Sequence, residues 1–179
     1  MKKRLFILVE GEDDIRFFGR TIKPLLSPRY DSIEIMPYAC IKREKINRFL
    51  ATVDQMQSEY ILVADIDQER SVRDKKQILY YHFSNVHGGS IVVVIKEIES
   101  WYYAGIPDDI AHKLGVPPMQ STDTLTKEDF NALIPKKFDS RIDFMFEILK
   151  FFSVEAAVRK NASFRYFARR YIDGVPADR

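Results

Sequence analysis

The sequence predicts an α/β fold, a mainly parallel sheet of about four strands with flanking helices, followed by a helical C-terminal subdomain. Three observations carry this. Apolar runs of strand length alternate with segments of helical spacing over the first hundred residues. The runs Leu5–Val9, Tyr60–Ala64 and Ile91–Ile95 are apolar on both faces, as parallel strands covered on both sides must be. Beyond Glu97 the strand signal stops and only helical spacing remains.

Each element follows from its own residues. Leu5-Phe6-Ile7-Leu8-Val9 is a fully buried strand. Ile15, Phe18, Ile22 and Leu25–Leu26 then recur at helical spacing, with Glu12 or Asp13 as cap and Pro24 disturbing the end. Ile33–Met36 alternates like a strand nearer the sheet edge. Lys42 to Met56 is a helix whose stripe is Ile46, Phe49, Leu50, Val53 and Met56. Tyr60–Ala64 is the next strand and ends in Asp65. Arg70 to Phe83 is helical, and a turn at Val86–Gly89 leads into strand Ile91–Ile95. Short helices follow at 99–104 and 108–114, then a turn-rich loop at 115–126 with Pro117-Pro118. The remainder is helical at 127–133, 141–152, 154–159 and 163–172. The expected organisation is an α/β core over 1–105 with a helical extension over 106–179, packed as one domain, as 179 residues suggest.

Composition excludes several classes. At 46% hydrophobic and 30% charged residues the chain has enough apolar material for a core, which excludes disorder. The longest apolar run, Leu5–Val9, is far below the ~20 residues that cross a bilayer. Lys2, Lys3 and Arg4 precede it like a signal region, but Glu10, Glu12, Asp13 and Asp14 follow at once, so no signal peptide is expected. The single cysteine, Cys40, allows no internal disulfide, and the expected compartment is the cytoplasm. His82, His87 and His112 lack ligand spacing, which argues against zinc.

The net charge of +2 conceals a segregation. Residues 1–50 carry 11 Lys/Arg against 7 Asp/Glu, residues 51–135 carry 7 against 13, and residues 136–179 carry 10 against 6. A metal-dependent enzyme acting on a polyanion has this need, with carboxylates for cations and basic flanks for phosphates. Three strands run into acids: Glu10 to Asp14, Asp65-Ile66-Asp67, and Glu97-Ile98-Glu99. Acids after strands also serve as helix caps. Three clusters on one sheet edge favour cations instead, because desolvated carboxylates repel one another.

Two of these segments resemble a known family. Leu8-Val9-Glu10-Gly11-Glu12-Asp13-Asp14, followed by Phe17-Phe18, resembles the first motif of the TOPRIM domain. Val63-Ala64-Asp65-Ile66-Asp67 resembles its second, and the 54 residues between Glu10 and Asp65 suit one strand and two helices. A narrower resemblance covers nearly the whole chain. Lys96-Glu97-Ile98-Glu99-Ser100-Trp101 is similar to the Glu-x-Trp segment of small stand-alone TOPRIM proteins of the overcoming-lysogenization-defect (OLD) type, and Ser163-Phe164-Arg165-Tyr166-Phe167 to their closing motif.

The resemblance implies a Rossmann-like TOPRIM sheet and a Mg²⁺- or Mn²⁺-dependent nuclease cleaving phosphodiesters, DNA more than RNA. It implies Glu10 as general acid/base or ligand, Asp65 and Asp67 as ligands of a first cation, and Asp14 assisting. Glu97 and Glu99 would complete a second cation site, the two ions roughly 4 Å apart activating water and stabilising the leaving oxygen. Lys96 is a candidate for the scissile phosphate, and Arg165, Arg169 and Arg170 for the nucleic-acid backbone. Trp101, Tyr102 and Tyr103 can stack on bases, but core aromatics at helical spacing are the commoner case. Larger OLD relatives carry an ATPase domain, so a separate ATPase is the expected partner, in a phage-defence role; self-association is left open. Two other readings stand beside this one. Asp65-x-Asp67 after an apolar strand also resembles the nucleophile and acid of haloacid-dehalogenase-like phosphatases, although Gln68-Glu69 follow where that motif continues Gly-Thr. The third is a non-catalytic regulatory or binding subunit.

Overall fold

β-branched runs too apolar to face water on either side form the centre of the sheet. The structure, a computed structural model, describes residues 3–174. Four strands, β1 (Arg4–Val9), β2 (Ser32–Pro37), β3 (Glu59–Asp65) and β4 (Ile91–Val94), lie in the order β2-β1-β3-β4 in a parallel sheet. In β1, Ile7 pairs with Ile35 on one side and Ile61 on the other. The chain divides into two compact units, one through Val93 and one from Val94 onward.

In the first unit, helices α3 (Arg43–Gln55) and α4 (Val72–His82) join the strands. Phe6 and Leu8 of β1, Tyr60 and Leu62 of β3, Ile46, Leu50 and Val53 of α3 and Leu79 of α4 form one core cluster. Strand alternation sends Ile7 and Ile61 to the opposite face. There the N-terminal helical segment lies along β2, with Gly19 against the Ile35 side chain. That segment is not the single helix the spacing predicts. It runs as α1 (Glu12–Phe17), a wide π turn over Phe18–Ile22, and α2 (Lys23–Leu26). Pro24 is the reason: it brings no N–H, and its ring crowds the carbonyl four residues back. The wider turn reroutes the bonding, so that the Lys23 N–H reaches the Phe18 carbonyl and the Thr21 hydroxyl donates to that of Phe17 at 2.6 Å.

The second unit is helical, with α5 (Ile98–Ala104), α6 (Asp108–Leu114), α7 (Lys127–Ala132), α8 (Arg141–Lys150), α9 (Val154–Lys160) and α10 (Ala162–Phe167). Short helices need caps, and the sequence supplies them. Thr126, Ser140, Ser153 and Asn161 each accept the N–H three residues on, worth about 1 kcal/mol apiece. Trp101, Tyr102 and Tyr103 are fully buried, so these three aromatics are core. Trp101 packs edge-on against Phe164 with centroids 5.1 Å apart, and Phe167 lies 5.4 Å away. Among the described residues no helix is long and apolar enough to cross a membrane.

Candidate functional site

In an open parallel sheet the ligand crevice opens where the strand order reverses, at the carboxyl ends of the strands. Here β1 has β2 on one side and β3 on the other, so that point lies between the ends of β1 and β3. Glu10 directly follows β1 and Asp65 closes β3, on adjacent parallel strands.

The contacts at this edge are specific. Glu10 Oε1 accepts the Asp65 backbone N–H at 3.0 Å and the Tyr38 hydroxyl at 3.3 Å. Burial pushes the Glu10 carboxyl above its ordinary value; the Asp65 N–H and Lys75 act against burial, and Asp67 adds to it. Burial also raises the Tyr38 phenol, helped by the negative charges of Glu10, Asp65 and Asp14. Three of the predicted acids therefore lie within electrostatic reach of one hydroxyl. Asp14 is buried and accepts the Gly11 N–H at 3.1 Å, closing the turn from strand to helix. Asp67 sits in the left-handed region at φ 54° and is ion-paired to Lys75. Lys75 is 7% exposed on the inner face of α4, one turn before Leu79.

Among the described residues no three His, Cys, Asp or Glu side chains are gathered as a ready-made metal cage. Magnesium does not need one, since it commonly takes one or two carboxylates and keeps several waters. Carboxylate oxygens are the donors it prefers, so Glu10, Asp65 and Asp67 fit a divalent cation by chemistry.

The remaining predicted residues lie in the second unit, where Glu97, Glu99, Arg165 and Arg170 have protein partners. Glu97 Oε2 accepts the Lys127 N–H at 2.7 Å, on the first turn of α7. Glu99 is 2% exposed and ion-paired to Arg141. Burial pushes the Glu99 carboxyl up, Arg141 acts against this, and Glu97 adds to it. Lys96 is exposed at φ 66°, a strained conformation for a side chain with a Cβ. Arg165 donates to the carbonyls of Val158 at 2.8 Å and Arg159 at 3.1 Å, tying down the end of α9. Arg169 is exposed, and Arg170 is half-buried with its guanidinium 5.4 Å from the Tyr171 ring centre.

The closing motif is a buried polar junction. Ser163 Oγ accepts from Trp101 Nε1 at 2.8 Å and from the Ile95 N–H at 3.3 Å, and donates to Asn161 Oδ1 at 2.8 Å. Asn161 Nδ2 donates to Thr122 Oγ1 at 3.0 Å. Every one of these bonds is made inside the helical unit.

No protein-family model matches the sequence, and no curated protein matches it. Solved structures do match. The C-terminal region of the Xanthomonas campestris pv. campestris OLD protein superposes with a TM-score of 0.50 at 17% identity, over 96% of this chain and 95% of that one. The C-terminal region of the Burkholderia pseudomallei OLD protein does so with 0.52 at 14% identity, over 98% and 100%. The chain has the fold of an OLD C-terminal region. The resemblance to OLD-type proteins is thus borne out in the fold over nearly the whole chain.

The contacts at this edge add two candidate residues that the motifs did not point to, Tyr38 and Lys75. Tyr38 is a lone tyrosine after an edge strand and gave no signal. Lys75 gave one: it occupies the apolar stripe of α4 a turn before Leu79, where a lysine is out of place unless paired.

Proposed function

We propose that this chain is a metal-dependent, TOPRIM-like nuclease acting on nucleic-acid phosphodiesters in the cytoplasm, DNA more than RNA. The observation that carries the reading is Glu10, raised in pKa and held against the Asp65 N–H at the reversal of strand order. The OLD-like fold supports it.

Glu10, Asp65 and Asp67 would hold Mg²⁺ or Mn²⁺, which when bound polarises the phosphate and lowers the pKa of a coordinated water. The side chains do the rest. Glu10, with its raised pKa, takes or gives a proton closer to neutral pH than an ordinary glutamate. Tyr38 and the Asp65 N–H hold its Oε1 in place, leaving Oε2 for the reaction. Lys75 balances Asp67 and brings a positive charge to the edge where a phosphate would sit. A second ion on Glu97 and Glu99 requires those acids to leave the Lys127 N–H and Arg141. A separate ATPase partner and a phage-defence role belong to the same proposal.

The test incubates plasmid, linear and single-stranded DNA with Mg²⁺ or Mn²⁺. Glu10→Gln is expected to lower the cleavage rate about 100-fold or more while changing affinity less than about twofold. Cleavage indifferent to that substitution overturns the reading. Hydrolysis of a small phosphomonoester that vanishes with Asp65→Asn would establish the phosphatase instead.

A further inference from the structure

Tyr81, at the end of α4, is 77% exposed, the most exposed large apolar side chain among the described residues. Its neighbour Tyr80 lays its hydroxyl on the Gly88 turn, where a Cβ would stand only 1.9 Å from that oxygen. Tyr81 has no such seat. Its ring meets the Arg43 guanidinium 5.9 Å from the centroid and His82 at 5.8 Å. One exposed aromatic means little alone. This one stands beside the start of α3, where Lys42, Arg43, Lys45 and Arg48 are all exposed against a single acid, Glu44.

We infer that Tyr81 and Arg43 form a stacking platform for an unpaired base, and that Lys42, Lys45 and Arg48 carry the phosphates of the same strand. The chemistry selects a single strand. A flat ring backed by a guanidinium binds the face of any base, but a paired base hides its faces in the duplex stack. The run of cations matches a polyanion and gives a neutral apolar partner no reason to bind there. A chain of contacts links the platform to the acidic edge within the same unit. Tyr38, whose hydroxyl donates to Glu10, packs edge-on against Phe83 at 5.9 Å, and Phe83 follows His82 and Tyr81 in the chain. The inference rests on the nuclease reading only for what the strand is delivered to.

The experiment measures binding of a short oligo-dT carrying one 2-aminopurine, in EDTA so that no cleavage occurs. Wild-type protein is expected to bind it with quenching of the 2-aminopurine. Tyr81→Leu should bind about tenfold more weakly without quenching, and Tyr81→Trp should restore both. Replacing Lys42 and Lys45 by Gln should reduce the slope of log affinity against log salt by about 1.4. Equal binding by wild type and Tyr81→Leu, or tighter binding to duplex than to single strand, overturns the platform. Glu10→Gln separates the two claims, since it should bind and quench like wild type. Loss of quenching in Tyr81→Leu with no cleavage by any form of the protein would leave the platform standing and the nuclease reading fallen. Cleavage lost in Glu10→Gln with binding indifferent to Tyr81 would do the reverse.

Discussion

Asp65 and Asp67 behind β3, and Glu97 and Glu99 behind β4, share a spacing, an apolar strand before them and a helix after them. Their surroundings differ. Glu99 is locked on Arg141 deep in the helical unit, and Glu97 receives an α7 N–H. Asp67 is open to solvent with Lys75 beneath it, and Asp65 lends its N–H to Glu10. An acid after a strand is therefore ambiguous by itself, and the partner decides. A guanidinium paired to a buried carboxylate makes it architecture; under the proposed function, neighbouring carboxylates at a strand-order reversal make it a site.

The largest expected effect breaks the architectural half. Arg141→Met leaves the Glu99 side chain, 3% exposed, without its cation. A loss of about 3–5 kcal/mol is expected in urea denaturation, recovered by adding Glu99→Leu. The counterpart, Lys75→Met, strands Asp67, whose side chain is 58% exposed, so the cost should stay below about 1 kcal/mol. Equal losses from the two substitutions would erase the distinction.

A smaller effect sharpens the other half. Mg²⁺ or Mn²⁺ at about 100 times its dissociation constant should add about 2.7 kcal/mol, a rise in Tm of several degrees. Asp65→Asn with Asp67→Asn should abolish that rise. Glu97→Gln should leave it intact if its carboxylate serves only α7. A rise lost in Glu97→Gln as well would return that acid to the metal site.

The contrast also shows what could be read in advance. The sheet was legible because Leu5–Val9 and Tyr60–Ala64 can be nothing but buried strands, and the end of each delivered an acid to the same edge. Less legible were contacts set by tertiary packing. Nothing local to Glu99 announces Arg141, 42 residues later, and nothing local to Tyr38 announces Glu10. Arg165 lies on the polar side of its helix, as a phosphate-binding residue would, yet its guanidinium is spent on α9 carbonyls. The π turn before Pro24 was half legible. The proline forbids a regular helix, but whether the chain stops or widens depends on what Phe17, Phe18 and Ile22 must bury.

The smallest effect separates the two glutamates by pH. Glu10 and Glu99 both have carboxyls raised by burial, so the folded chain keeps these protons to higher pH than the unfolded chain does. Each contribution is complete below the ordinary glutamate value of 4.5 and is lost as pH rises through the folded pKa. Stability should therefore decline as pH rises from about 4.5 toward neutrality, by less than about 1.4 kcal/mol per pH unit for each group. Asp108 and Asp129 are lowered by their partners; their contributions are lost as pH falls through values below 3.8, a separate window. Glu10→Gln should flatten part of the decline and Glu99→Gln another part. Saturating Mg²⁺ is the discriminating condition, because a bound cation favours the Glu10 carboxylate and should remove its share of the decline. The share belonging to Glu99 should persist, since Arg141 already holds that carboxylate. Urea midpoints measured across this window, with and without Mg²⁺, decide it: a Mg²⁺-responsive slope that persists in Glu10→Gln and disappears in Glu99→Gln would place the cation on Glu99 and reverse the assignment of the two clusters.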